Sequence, residues 1–153
     1  EWFSKNRVRY PFGRGSSKMS VIVTDNGFQI DDLSVAFVTV GEAANDVAAL
    51  DVPSDASPKV LAGFCKTARA IRVDFPSFAD GRGFTIARQL RRMGFTGRLR
   101  ARGHIIADQY TMARRCGFDE VEISESLAKR QPEQDWTFRA NWQQHDYQAR
   151  LRG

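Results

Sequence analysis

The chain has 153 residues, 42% of them hydrophobic and 27% charged. That is about one domain's length, with the composition of a globular chain and not of a disordered, collagenous or coiled-coil one. Its longest apolar stretches, such as Val35–Val40, fall far short of the ~20 residues a membrane helix needs, so no membrane partner is expected. The net charge of +5 divides into +4 for residues 1–18, −6 for 19–60, +8 for 61–102 and −1 for 103–153. Residues 1–18 therefore supply most of the excess. What remains is a nearly neutral domain with an acidic beginning and an arginine-rich middle. Such a middle can hold anions locally without binding polyanions in general, and nucleic acid is not an expected partner.

Residues 1–18 lack the apolar core of a signal peptide, whereas Met19 opens a segment that reads like a natural start. The expectation is an N-terminal extension or expression remnant over 1–18 and a single α/β domain over 19–153. A basic-aromatic arm that binds a partner is the alternative. Ser20–Phe28 predicts a short strand pair turning at Asp25-Asn26-Gly27. Leu33–Val40 is apolar and β-branched with no clear register, Gly41–Asp46 reads as a connection, and Val47–Val52 as a strand. Pro53–Pro58 is a loop feeding a helix over Lys59–Ala68. Ala70–Phe75 alternates Ile71, Val73 and Phe75 with Arg72 and Asp74, a strand with one polar face. After a loop, Thr85 is the expected N-cap of a helix running to Met93, with Gly94 as its stop. Gly97–Arg102 is the next strand, Ile105–Cys116 a helix ended by Gly117, and Asp119–Ile123 a further strand. Residues 124–153 look less regular, with Trp136, Phe138, Trp142 and Tyr147 packing back onto the domain. Strand and helix alternate with short connections, which predicts repeated βα units and a mostly parallel sheet. An incomplete (β/α) barrel-like arrangement is the alternative.

Buried parallel strands usually read as continuous apolar runs. Here Arg98, Arg100 and Arg102 share one face of a strand, opposite Leu99 and Ala101. They must be exposed, paired with carboxylates, or lining a site, and planar guanidinium groups suit sulfite, sulfate, phosphate or carboxylate. Asp80-Gly81-Arg82-Gly83 lies where a strand end meets a helix start, a place suited to an oxyanion; a tight turn held by an Asp–Arg pair is the alternative. It is neither a P-loop nor a dinucleotide fingerprint. Arg88, Arg91 and Arg92 fall on one helix face, either solvated or docking an acidic partner. Asp108 and Gln109 sit in the first turn of their helix, where an acid favours the dipole or pairs with the strand arginines. His104 precedes that helix, and imidazole is the side chain that changes charge near neutrality. No nucleophile, base and orienting group can be assembled from these residues. Cys65 and Cys116 are far apart and, with only His104 and His145 besides, form no metal-ligand spacing. They read as buried thiols in a reducing cytoplasm, with no metal and no cofactor expected.

The block Phe75–Phe118 resembles a bacterial family, the domain of unknown function numbered 934. The matching words are Phe75-Pro76, Asp80 to Phe84, Ala87-Arg88, Gly97 to Gly103, Asp108-Gln109, and Arg115-Cys116-Gly117-Phe118-Asp119. His104 stands where the family usually has an acid, and Ala107 where it usually has a base. Members are loosely labelled oxidoreductases and commonly encoded beside assimilatory sulfite reductase. The resemblance implies a cytoplasmic accessory protein of sulfite and sulfate reduction. It would dock on sulfite reductase or handle an oxyanion such as sulfite at the arginine-rich face. A free-standing oxidoreductase with a dissociable cofactor is the alternative. The residues expected to bind the anion or partner are Asp80, Gly81, Arg82, Gly83, Arg88, Arg98, Arg100, Arg102, His104, Asp108, Gln109 and Arg115.

Overall fold

The structure, a computed structural model, describes residues 20–33, 36–44 and 46–141. Residues 1–18, Trp142 and Tyr147 lie outside the described residues. The chain opens with a hairpin of β1 (Ser20–Thr24) and β2 (Gly27–Gln29), turning at Asp25-Asn26 as the sequence predicts. There follow β3 (Val38–Thr39), β4 (Ala49–Val52), α1 (Pro58–Ala62), β5 (Ala70–Phe75), α2 (Arg82–Arg92) and β6 (Arg98–Gly103). A 3-10 turn, Ala107–Gln109, leads into α3 (Tyr110–Cys116), then β7 (Glu120–Ser124), α4 (Glu125–Arg130) and α5 (Glu133–Phe138). The seven strands form one sheet in the order β2-β1-β7-β6-β5-β4-β3. The run β3 to β7 is parallel throughout, and the hairpin adds an antiparallel margin through β1 beside β7. The fold is a single α/β sheet, mostly parallel. It does not close into a barrel.

The parallel strands lie side by side in chain order, so each crossover steps the same way. A constant right-handed step puts every crossover helix on one face. Leu50, Val52, Ile71, Val73, Phe75, Leu99, Ala101, Val121 and Ile123 pack there with Leu61, Ile86, Leu90 and Ala113 of the helices. Phe75, Phe84 and Phe118 meet edge to face at this layer, with ring centroids 4.9–6.5 Å apart. The opposite face has no such helices, which is why its strand residues are charged.

Several boundaries differ from the sequence reading, for local reasons. The helix expected from Thr85 begins at Arg82: its N-cap is Gly81, with no side-chain cap bond, and Asp80, one residue earlier, accepts from the Arg82 backbone N–H (3.1 Å). Ser57 caps α1, which ends at Gly63, well before Ala68. Ile106 is extended, so the helix expected from Ile105 forms only after the 3-10 turn. Residues 124–138 are regular: Ser124 caps α4 through Leu127 N–H (3.1 Å), and Trp136 is buried on α5, its indole N–H donating to Gln131 O (2.9 Å). Phe138 is exposed and does not pack into the core.

Candidate functional site

Pairing register places Asp51, Arg72, Arg100 and Glu120 in one row across the charged face, with Asp74, Arg102 and Glu122 in the next. Arg72 makes a two-point bond to Asp51 (2.6 and 2.7 Å) and reaches Glu122 (3.1 Å). Arg100 is 1% exposed; it donates to Glu120 (2.6 Å), to Glu122 (2.9 Å) and to both oxygens of Asp31 (3.0 and 3.1 Å). Arg98 holds Glu120 (2.9 Å) and Asp32 (2.7 Å). Phe37 covers the net, its ring centroid 4.1 Å from the Arg72 guanidinium carbon and 5.8 Å from that of Arg100, a cation–π arrangement. Burial alone would lower the Arg100 pKa, but the bonds from Asp31 and Glu120 raise it above its ordinary value. Burial likewise works to raise the Asp31 pKa, while the bond from Arg100 and the Leu33 N–H bring it below the usual range. With Arg102 included, four guanidinium groups face six carboxylates, so this face carries no surplus positive charge.

Arg102 differs from its neighbours. It stands near the carboxyl end of β6, is 44% exposed, and among the described residues makes one long ion pair, 3.6 Å, to Asp74. Two clefts adjoin there, and both are lined by Asp74 and Arg102. The larger, about 430 Å³, adds Pro76, His104, Glu122 and Ser124 from the ends of β5, β6 and β7. The smaller, about 310 Å³, adds Val40, Gly41, Val52 and Pro53 beyond β3 and β4. The carboxyl edge of an open α/β sheet is where such folds place ligands. Gly103, at φ +121°, lets the chain turn out of the sheet there; a Cβ would lie 2.5 Å from Phe75 O. His104 Nδ1 sits 3.3 Å from Phe75 O, and its ring meets Phe78 edge to face, which leaves Nε2 as the free polar atom of the ring.

The remaining expected residues lie elsewhere. Asp80 holds Arg82 through two oxygens (3.0 and 2.7 Å), and Arg82 also donates to Ser54 Oγ (3.0 Å). Arg82 holds the Asp80 carboxyl well below the usual carboxylate range. This turn borders the clefts without lining them. Gly83 packs against the Phe75 ring, where a Cβ would come within 2.5 Å, so that glycine is required by packing. Gln109 ties two loops, accepting from Ile106 N–H (3.0 Å) and donating to Phe78 O (3.1 Å). Asp108 pairs with Arg139 (2.6 Å), not with the strand arginines. Arg88 and Arg115 are exposed on α2 and α3, and Arg91 clamps the carbonyls of Phe95, Gly97 and Gly117. Burial pushes the Cys65 and Cys116 thiols up, Arg88 opposing the shift at Cys116. Among the described residues no three or more His, Cys, Asp or Glu side chains are arranged to hold a metal, and no helix is long and apolar enough to cross a membrane.

The partners of the strand arginines that sequence reasoning missed are carboxylates: Asp31, Asp32, Asp51, Glu120 and Glu122. Glu120 and Glu122 carried a usable signal, since carboxylates two apart on one strand match arginines two apart on the next. Nothing local marks Asp31 and Asp32 as their companions. No curated protein and no solved structure matches the chain. The model for the family described as bacterial protein of unknown function, DUF934, matches residues 49–153, more than half the chain and most of the cleft lining, and the chain belongs to that family.

Proposed function

We propose that the protein is an accessory of assimilatory sulfite reduction that holds a protonated oxyanion, such as hydrogensulfite, at the carboxyl edge of its sheet. The observation that carries this is Arg102: a half-exposed guanidinium in two clefts, whose ion pair among the described residues is a 3.6 Å contact to Asp74. An exposed pair of that kind contributes about 0–1 kcal/mol, so a ligand displaces it at little cost. Two oxygens of the anion would take the guanidinium fork. Asp74 would then accept the hydrogen of an oxyanion that keeps one, which favours hydrogensulfite over fully ionised sulfate. His104 adds a second polar group on the same wall. The sulfur-assimilation context is supported by the sequence resemblance, and the anion chemistry by Arg102.

The test is a calorimetric titration of the full chain with sulfite and with sulfate, repeated on Arg102→Ala. The expected result is sulfite binding stronger than sulfate binding, lost in the variant with the fold intact. Growth on sulfate, but not on cysteine, should fail in a strain carrying Arg102→Ala. Equal sulfite binding by the variant, or none by the parent, would refute the proposal.

A further inference from the structure

The helix layer carries a second, independent signal. Residues 58–69, 81–97 and 109–118 make up α1, α2, α3 and their exits, and contain no aspartate or glutamate at all. They hold nine basic side chains: three, four and two respectively. Arg82, Arg91 and Arg114 bond to neighbouring carboxylates or carbonyls. Lys59, Lys66, Arg69, Arg88, Arg92 and Arg115 are exposed. The helices adjoin, α1 against α2 and α2 against α3, and the Arg88 charge opposes the burial that raises the pKa of Cys116, the neighbour of Arg115. Exposed cations thus stand on three adjoining helices; Asp25, Asp80 and Asp119 answer Arg114, Arg82 and Arg91 at their margins, and Asp31, Asp51, Glu120 and Glu122 pair with the strand arginines of the other face.

We infer that this helix face is a docking surface for the acidic surface of another protein. Charge complementarity of this kind steers encounter and fixes orientation. Two observations favour a protein over nucleic acid. Val60 and Met112 are each 50% exposed among these cations, and methionine with arginine is typical of protein interfaces. Phe64, Phe84, Phe95, Tyr110 and Phe118, the aromatics of the three segments, are all buried, so these segments offer no platform for stacking bases. The inference does not rest on the oxyanion reading, because the edge clefts and this face share no residue.

The test places a photo-crosslinking amino acid at exposed Thr85, on the same stripe as Arg88 and Arg92, in the full chain inside growing cells. The expected product is an adduct with a protein, its crosslinked peptides rich in Asp and Glu. Its yield should fall at least about fivefold in Arg88→Glu/Arg92→Glu/Arg115→Glu, and also in Lys59→Glu/Lys66→Glu. Lys129→Glu/Arg130→Glu, a charge change on exposed α4, should leave it unchanged. Circular dichroism of each variant guards against unfolding, and the Lys59/Lys66 pair serves if the first variant does not fold. A nuclease-sensitive adduct, a protein adduct that survives both reversals, or no adduct would each overturn the inference.

Discussion

Arg100→Met tests whether the charged face is a structural net. Methionine keeps much of the side chain's bulk and removes the guanidinium. Glu120 and Glu122, with side chains 3% and 10% exposed, would each lose a partner in place. Breaking a buried pair costs about 3–5 kcal/mol because the surviving charge stays desolvated. Glu120 keeps Arg98 and Glu122 keeps Arg72, so the loss should fall at the low end, about 3 kcal/mol. For a domain of this size that lowers Tm by roughly 10 °C. Urea unfolding followed by circular dichroism at pH 7, with a thermal melt, measures both. Arg100→Lys keeps the charge but not the fork, and should recover about half of the loss. A change below about 1 kcal/mol for Arg100→Met would place the pairs among exposed, weakly contributing ones. The reasoning that separates Arg100 from Arg102 would then fail.

Asp74→Asn should release Arg102 from its counter-ion and tighten anion binding by up to about fivefold, while narrowing the preference for sulfite over sulfate; titration calorimetry measures both effects. Gly83→Ala should cost about 1–3 kcal/mol, because the new methyl meets the buried Phe75 ring, whereas Gly81→Ala, with only Phe84 at 3.8 Å, should cost a few tenths; paired urea melts separate them. Asp31 has a lowered folded-state pKa, so its contribution is present above its unfolded pKa of about 3.9 and is lost as pH falls through the folded value. Asp31→Asn should therefore flatten the acid limb of the stability–pH curve. Burial, then the bond to Asp25, raises the Tyr110 phenol pKa. Its contribution is present below the unfolded pKa of about 10 and is lost above it, so Tyr110→Phe should flatten the alkaline limb.

The alternation of Ile71, Val73 and Phe75 with Arg72 and Asp74, and of Leu99 and Ala101 with three arginines, is a local property of the chain. A strand's two faces can be read from a period of two, and the βα order follows from the spacing of such segments. The parallel core and the existence of an arginine face were legible on those grounds. The start of α2 was not, because its N-cap is Gly81, which has no capping side chain, and the Asp80–Arg82 turn just before it marks the start instead. Nor was the antiparallel placement of β1 beside β7, where Val21 meets Ile123 across the length of the domain. The three arginines of β6 look alike in sequence, yet Arg98 and Arg100 are neutralised by Asp31 and Asp32, 66 to 69 residues away. Arg102, two positions along the same face, reaches the sheet's edge, where its ion pair among the described residues is the 3.6 Å contact to Asp74, while Glu122 beside it turns to Arg72 and Arg100. Residue type and period determined which face the guanidinium groups share. Which of them is buried in pairs and which remains half-exposed was decided by tertiary structure, because ion pairing and desolvation depend on neighbours that only the folded chain brings together.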